Sequence, residues 1–352
     1  MDLNDFVPLG FDVCIVTKEM NCPTMKGRQS ERKTMALAEI MKSKKKRSAA
    51  AGFRRAMQMH WELYLIFSIV AVWYIIFHYA PMGGVVIAFK NFKVLKGVMA
   101  SPWVGFANFE KFMASTAFKS VLTNTIIISL MNLVFAFPAP ILFALLLNEV
   151  RANLPKRLIQ TISYLPHFIS WAIAGGLFYM LLSPSSGPVN AAIRAFGGTP
   201  INFMGISAYF RWIITLSSIW KGLGWGAIVY LAAIAGVDEE MFEAATIDGA
   251  GRFRRIWNIT LPSISNVVVI MLILQVGNIL SVNFDQIFVM VNDAVLNVGE
   301  TIEYYIYRYG LYSPNNFALG AAVGLFKSVI GFALIMLTNF IAKKISDGGG
   351  IW

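Results

Sequence analysis

The sequence predicts an all-α membrane protein with six spanning helices, and three observations support that prediction. Hydrophobic residues make up 57% of the 352 residues, and the mean hydropathy is +0.61. Only 14% of the residues are charged, whereas a soluble domain carries about 25%. Apolar runs of about 20 residues, the length that crosses a bilayer as a helix, recur along the chain. This composition argues against a soluble enzyme.

Six apolar runs define the predicted spans. They cover residues 62–81, 121–147, 162–182, 211–235, 264–284 and 319–342. The second run contains Pro138 and Pro140, which membrane helices tolerate as kinks. The fourth contains Gly222 and Gly226, a spacing that lets two helices approach closely.

The distribution of lysine and arginine predicts how the spans are oriented. Twelve of the 30 lie within residues 1–60, ahead of the first span. Positive charge beside membrane segments marks the cytoplasmic side, so we expect both termini in the cytoplasm. The loops then expected inside are 148–161 and 236–263, and those expected outside are 82–120, 183–210 and 285–318. The loop 82–120 carries five lysines despite lying outside, and we expect it to have a structure of its own.

The basic segment before the first span could suggest a nucleic-acid-binding protein. No nucleic-acid-binding pattern of alternating basic and aromatic residues accompanies these charges. We therefore interpret them as a topology signal and predict no nucleic-acid partner. The expected organisation is a disordered cytoplasmic tail over 1–55, a membrane domain over 56–345 and a short tail over 346–352.

The spans lack the groups that several other functions require. No Asp or Glu lies inside the six cores, whereas ion-coupled secondary transporters usually hold protons or sodium with buried carboxylates. The chain has no G-x-x-x-x-G-K-[ST] loop for nucleotide binding. No cluster of catalytic side chains indicates a membrane enzyme. Two cysteines and three histidines show no metal-binding spacing, so we predict no metal site.

Two lysines lie well inside spans. Lys221 and Lys327 are predicted to sit roughly 12–15 Å from the outer helix ends, at about 1.5 Å per residue. A lysine at that depth usually faces the bundle or a water-filled cavity. Either these lysines face a path for anionic or hydroxyl-rich solutes, or they pair with backbone carbonyls.

The cytoplasmic loop 237–262 has the features of two short helices joined by a turn. Residues 238–247 begin with acidic side chains, which suit the positive end of the helix dipole. Ala244 and Ala245 leave room for a partner surface, and Gly249 permits a turn that side chains resist. Pro262 is expected at the junction with the fifth span.

This loop resembles the E-A-A-x-x-x-G-x9-I-x-L-P signature of the membrane subunits of binding-protein-dependent ABC importers. The matching residues are Glu243, Ala244, Ala245, Gly249, Ile259, Leu261 and Pro262. The resemblance covers roughly residues 60–345. It implies the six-helix, MetI-like permease fold in the bacterial cytoplasmic (inner) membrane. It also implies that the segment containing Glu243, Asp248 and Gly249 docks on an ATPase subunit.

The same resemblance implies the partners of the chain. They are a second permease subunit, expected to be a different chain, two ATPase subunits and an extracytoplasmic solute-binding protein. ATP and Mg²⁺ would be used by the ATPases, so this chain is expected to bind no cofactor and to have no enzymatic activity.

Three stretches are similar to the carbohydrate-uptake branch, notably to permeases for polygalacturonan- and alginate-type oligosaccharides. They are 81–90, 137–140 together with 147–150, and 163–170. An oligosaccharide, including an acidic one, is therefore the expected substrate, with another solute or an ion-coupled carrier as alternatives. Sugar sites combine aromatic faces with amide and hydroxyl groups. Besides the two lysines, the candidates for the substrate path are Trp220, Trp225, Tyr230, Gln275, Asn278 and Asn283, and helix–helix hydrogen bonding is the alternative role for the polar ones.

Overall fold

The computed structural model describes residues 57–312 and 316–345, which are mainly helical. The chain divides into two compact units, Met1–Ala80 and Pro81–Trp352. In the first unit, the described residues form α1, Trp61–Tyr74, continued by a π-helical turn over Ile75–Tyr79. The expected tails 1–55 and 346–352 lie outside the described residues.

The second unit contains the remaining described helices. They are α2 (Ala107–Met113), α3 (Thr116–Asn148), α4 (Asn153–Phe168), α5 (Trp171–Leu182), α6 (Pro188–Ala195), α7 (Ser207–Ala235), α8 (Glu239–Ile247), α9 (Arg252–Ser263), α10 (Ser265–Gly277), α11 (Phe284–Met290) and α12 (Phe317–Ile345). Short helical turns connect several of them.

The predicted spans correspond to four helices and two bent pairs among the described residues. The run Trp61–Phe89 and the helices α3, α7 and α12 are each long and apolar enough to cross a membrane. The pairs α4–α5 and α9–α10 qualify only as broken spans, bent by 105° and 63°. The total of six agrees with the prediction.

The prediction of continuous helices over 162–182 and 264–284 was wrong. The first is interrupted after Phe168, where Ile169 is extended and Ser170 caps α5 by accepting a hydrogen bond from the Ile173 N–H at 3.4 Å. The second ends at Gly277, and a non-helical segment over 278–283 separates it from α11. Hydropathy alone does not show these breaks, because the residues around them are apolar.

The core of the second unit consists of three clusters of buried apolar residues. One surrounds the N-terminal half of α7 and includes Phe210, Ile214 and Met290. Another joins α2, α3 and α12. The third packs the last turns of α3 against the last turns of α7 and Ile264. Helix α7 takes part in two of the three clusters, so it is the central helix of this unit.

Glycines bring α7 close to its neighbours. A Cβ at Gly224 would overlap the carbonyl oxygen of Ser163 in α4, and one at Gly226 would lie 3.0 Å from Pro140 in α3. Nothing lies within 4 Å of a Cβ at Gly222. Of the predicted pair, Gly226 therefore lies at a close helix–helix contact and Gly222 does not. The closest contact of an α7 glycine with another helix is made by Gly224, which the spacing rule did not indicate.

We expect Gly224→Ala to destabilise the protein, because α7 must move away from the α4 backbone. Overpacking of this kind costs about 1–3 kcal/mol. Gly222→Ala is the matched control, since it makes the same change on the same helix in open space. Thermal melting of the purified proteins in detergent measures the difference, and equal melting temperatures for the two variants would contradict the predicted contact.

Candidate functional site

A polar cavity of about 200 Å³ lies among the membrane helices. It is enclosed by the middle of α3, by α7, by the end of α10 and by the non-helical segment 278–283. Its lining is Ser129, Asn132, Leu133, Ala136, Ser218, Gln275, Asn278, Ile279, Ser281, Val282 and Asn283. Amides and hydroxyls predominate, and none of these lining residues is charged. Such a lining is suited to hydrogen bonding with an uncharged polar group.

Proline chemistry shapes the α3 wall of this cavity. Pro138 has no N–H, and its ring clashes with the carbonyl four residues earlier in a regular α-helix. The helix widens before it into a π-helical turn over Asn132–Ala136, closed by a 2.9 Å bond from the Phe137 N–H to the Asn132 carbonyl. The side-chain oxygen Oδ1 of Asn132 is buried and has no hydrogen-bond partner among the residues that the structure describes. This acceptor is available to a ligand or to water.

Hydrogen bonds to α7 hold the segment after the cavity in place. Asn283 caps α11 by accepting a bond from the Gln286 N–H at 3.4 Å. The buried Gln286 donates to the Ile214 carbonyl at 2.7 Å and to the Ser217 hydroxyl at 2.8 Å. It also accepts from the Ser218 hydroxyl at 3.0 Å. The short helix α11 is thereby fixed to the centre of α7.

The structure separates the predicted substrate-path residues into two groups. Gln275, Asn278 and Asn283 meet in the polar cavity. Trp220, Trp225 and Tyr230 do not line it. Trp220 packs edge-on against Phe178, Trp225 stacks on His167 at 4.4 Å, and Tyr230 is buried in the apolar cluster at the ends of α3 and α7. Contact with a solute stays a prediction for both groups.

Lys221 binds the backbone at the break between α4 and α5. Its ammonium donates to the carbonyls of Pro166 at 3.2 Å and His167 at 2.7 Å, and also to that of Ile169. The three acceptors match the three donors of an ammonium group. The side chain also lies over the Trp171 ring, 5.6 Å from its centroid. Of the two roles predicted for Lys221, this geometry is that of pairing with carbonyls.

Lys327 lies in a second cleft, of about 340 Å³, between the end of α10 and α12. Its ammonium forms an ion pair with Glu303, in the segment that precedes α12. Asn278 lines both this cleft and the polar cavity. Lys327 thus has a carboxylate partner, Glu303, that lies outside the predicted spans.

The N-terminal parts of α3 and α7 are joined by a network that the sequence did not reveal. Arg211 donates to Asn124 Oδ1 at 2.7 Å and to the Val298 carbonyl at 3.4 Å. Asn124 donates to the Glu300 carbonyl at 3.2 Å. Burial raises the pKa of the Glu300 carboxyl, and Arg308 at 2.8 Å opposes that rise. Arg211 begins the fourth predicted span, and its charge was the only sequence indication of this network.

The loop 237–262 forms the two short helices that were predicted, α8 and α9. Asp238 caps α8 by accepting a bond from the Glu240 N–H at 3.0 Å. Gly249 has a φ of +72°, in the left-handed region that glycine adopts without strain. The Ala250 N–H bonds the Ala245 carbonyl at 2.8 Å, and the Gly249 N–H bonds that of Thr246 at 3.1 Å. This pattern is a Schellman motif, which ends α8.

Two contacts link α8 and α9 to each other and to the end of α3. Arg255 donates to the Thr246 hydroxyl at 3.0 Å, linking α9 to α8. Arg252 lies 3.9 Å from Glu149, which follows α3. A groove of about 610 Å³ runs between α8 and the ends of α3 and α7, and Glu243 is among its lining residues. These contacts support α8 and α9, and we refer to this pair of helices as the projection.

Most of the residues predicted to dock on a partner are exposed on α8 and α9, and docking itself stays a prediction. Glu243, Ala244, Asp248 and Gly249 are exposed, whereas Ala245, Ile259 and Leu261 are half-buried. Pro262 precedes the last residue of α9, at the 63° bend. Exposed apolar side chains extend the surface, and the sequence reasoning did not select them. They are Ile247, Phe253 and Trp257.

Comparison with known proteins gives one family. The family described as "Binding-protein-dependent transport system inner membrane component" matches residues 136–347. Protein LplB of Bacillus subtilis (strain 168) is 43% identical over 287 residues, which cover 82% of this chain and 90% of LplB. The polygalacturonan/rhamnogalacturonan transport system permease protein YteP, from the same organism, is 42% identical over 82% of this chain and 89% of its own length.

A solved structure has the same fold. It is a bacterial alginate ABC transporter in complex with an alginate pentasaccharide-bound periplasmic protein. One of its chains superposes with a TM-score of 0.76 and 35% identity, covering 83% of this chain and 97% of that one.

We expect Lys221→Met to destabilise the protein by about 3 kcal/mol, because three partly buried carbonyls lose a charged donor. Lys119→Met, at an exposed position of α3, is the control. Thermal melting in detergent compares the two variants with the unmodified protein. A normal melting temperature for Lys221→Met would show that the ammonium does not support the bend.

Proposed function

The chain belongs to the family of binding-protein-dependent transport system inner membrane components, and we propose that it is a permease subunit of an ATP-driven oligosaccharide importer. The observation that supports this proposal most directly is the polar cavity among its membrane helices. Polar side chains in a bilayer are expensive and usually line a path or bind a partner. Here amides from α3, α10 and the segment before α11 converge on one space.

The chemistry of the cavity is suited to a sugar. Hydroxyl groups both donate and accept hydrogen bonds, and amide side chains offer both functions. The unpartnered Asn132 Oδ1 can accept from a sugar hydroxyl, and Gln275 and Asn278 supply further amides. The similarity to a polygalacturonan/rhamnogalacturonan permease and to an alginate importer supports an acidic oligosaccharide as substrate.

The rival mechanism is an ion-coupled carrier. Proton or sodium coupling usually requires a carboxylate at the solute site. The cavity lining contains no Asp or Glu. The energy for transport is therefore assigned to partner ATPases, and this chain supplies no catalytic residue.

The proposed assembly places partners on both sides of the membrane. A solute-binding protein delivers the oligosaccharide to the outer loops, and a second permease of different sequence completes the path. Two ATPase subunits dock on the cytoplasmic side. The charge bias of the loops supports an orientation with both termini in the cytoplasm.

The projection formed by α8 and α9 is the proposed contact with an ATPase subunit. Its exposed residues Glu243, Ala244 and Gly249 would meet the partner surface, and Ile247 and Phe253 add apolar area. Closure of the ATPases would move this projection. Because α9 continues into α10 through the 63° bend, the movement reaches Gln275 and Asn278 at the cavity.

We expect Gly249→Val to lower ATP-dependent uptake about tenfold, because a left-handed residue with a side chain costs about 1–2 kcal/mol or more. The strain is purely conformational, since nothing lies within 4 Å of the added Cβ. Gly251→Val is the matched control, because Gly251 also has open space but an ordinary φ of −67°. Uptake and ATP hydrolysis in proteoliposomes holding the full assembly measure the effect. Equal uptake by both variants would rule out a need for the left-handed turn.

The substrate path is tested by Asn278→Ala, which removes an amide from the cavity. One lost hydrogen bond of about 1 kcal/mol should raise the oligosaccharide concentration for half-maximal uptake about fivefold. Asn266→Ala, at the opposite end of helix α10, which Asn278 follows, should leave it unchanged. Uptake of labelled oligogalacturonides and alginate oligomers provides the measurement, with the solute-binding protein held saturating. An unchanged half-maximal concentration for Asn278→Ala would remove that residue from the path.

A further inference from the structure

The connection between the run Trp61–Phe89 and α3 contains a short, rigid turn over residues 93–101. Val94–Lys96 forms a 3-10 turn and Gly97–Ala100 a single helical turn. Gly97, the first residue of the second turn, has a φ of +71°. Such a turn requires support from elsewhere, because helices this short are not stable by themselves.

Two side chains supply that support. Lys90 donates to the carbonyl of Val98 at 2.8 Å and to that of Met99 at 3.4 Å. The buried Ser101 donates to the Gly97 carbonyl at 2.7 Å and accepts from the Lys93 N–H at 3.1 Å. The conformation of the turn is therefore fixed by the protein itself.

The turn holds apolar side chains away from the protein. Leu95 is 102% exposed and Met99 is 92% exposed, so neither packs against any described residue to a significant extent. The two side chains are four positions apart and are flanked by Lys93 and Lys96. Exposed apolar side chains next to lysines are typical of segments that lie in a lipid interface.

The position of the turn agrees with the level of the outer membrane surface. The ring of Phe92 lies 6.2 Å from that of Phe317, the first residue of α12. On the other side of the turn, Trp103 stacks on Phe89 at 5.7 Å and remains largely exposed. Aromatic side chains are enriched at membrane–water interfaces. The turn therefore lies where a membrane helix begins.

Charge indicates which partner the turn meets. Residues 90–119 contain five lysines and one acidic residue, Glu110. Positive charge on the outer side is opposite to the usual bias of membrane proteins, so topology does not explain it. Lipid phosphates provide complementary negative charge at this level.

We propose that residues 93–101 form an interfacial anchor in the outer leaflet. Leu95 and Met99 insert among the lipid acyl chains, and Lys93 and Lys96 bind lipid phosphates. The anchor fixes the connection before α3 at the membrane surface, independently of the solute that the protein carries.

Spin-label accessibility tests this anchor in the complete transporter in lipid nanodiscs. Leu95→Cys and Met99→Cys are made separately on a background in which Cys14 and Cys22 are replaced by Ser. Because both side chains are exposed, neither change removes packing within the chain. Ser185→Cys, at an exposed position in another outer loop, is the control.

Labels at 95 and 99 should be severalfold more accessible to oxygen than to a water-soluble nickel chelate, relative to the label at 185. Equal accessibility to both reagents, as at 185, would place the turn in water and overturn the proposal. Protection from both reagents would show that a protein covers the turn, which also overturns it.

The lysine contribution is measured with Lys93→Gln/Lys96→Gln carrying the label at Leu95. In nanodiscs of phosphatidylglycerol and phosphatidylcholine, the oxygen-to-nickel ratio should fall about twofold or more relative to the parent label. In phosphatidylcholine alone, the fall should be smaller. An unchanged ratio in both lipids would exclude the lysines from the anchor.

Discussion

The arrangement of the membrane helices depends on one ammonium group at the bend of the broken third span. The last carbonyls of a helix lack regular intrahelical partners, and an unpaired carbonyl within a bilayer costs several kcal/mol. Lys221 of α7 donates to the carbonyls of Pro166, His167 and Ile169 at this bend. Gly224, one turn further along α7, allows the α4 backbone to approach closely enough for these bonds. The 105° bend and the position of α7 are therefore coupled.

The irregular parts of the helices lie where the polar cavity is. Irregular backbone is tolerated in a membrane where it is buried in protein or lines a water-filled space. The π-helical turn before Pro138 and the segment 278–283 after α10 both meet at the cavity. Gln286 then fixes the following helix to α7. The polar cavity and the departures from regular helix thus arise from the same few residues.

Local sequence features predicted the form of the loop 237–262 well. The acidic start of α8, the left-handed Gly249 and the bend after Pro262 all follow from capping and backbone rules that act within a few residues. The same rules were less informative inside the spans. Gly222 and Gly226 matched a packing motif, yet Gly224 makes the tightest approach, because the partner backbone lies in another helix. Of the predicted path residues, the amides meet in the cavity and the aromatic residues pack elsewhere.

The sequence by itself determined the membrane character, the number of spans and the form of the cytoplasmic loop. Hydropathy, charge bias and helix capping depend on residues that are neighbours in sequence, so they can be predicted from the sequence alone. Only the tertiary structure decided where two spans break, which amides share a cavity and which charges pair. Lys221 meets Ile169, Lys327 meets Glu303, and Asn124 meets Glu300. These contacts join distant segments, and in lipid the requirement to pair each buried polar group selects one arrangement among those that hydropathy allows.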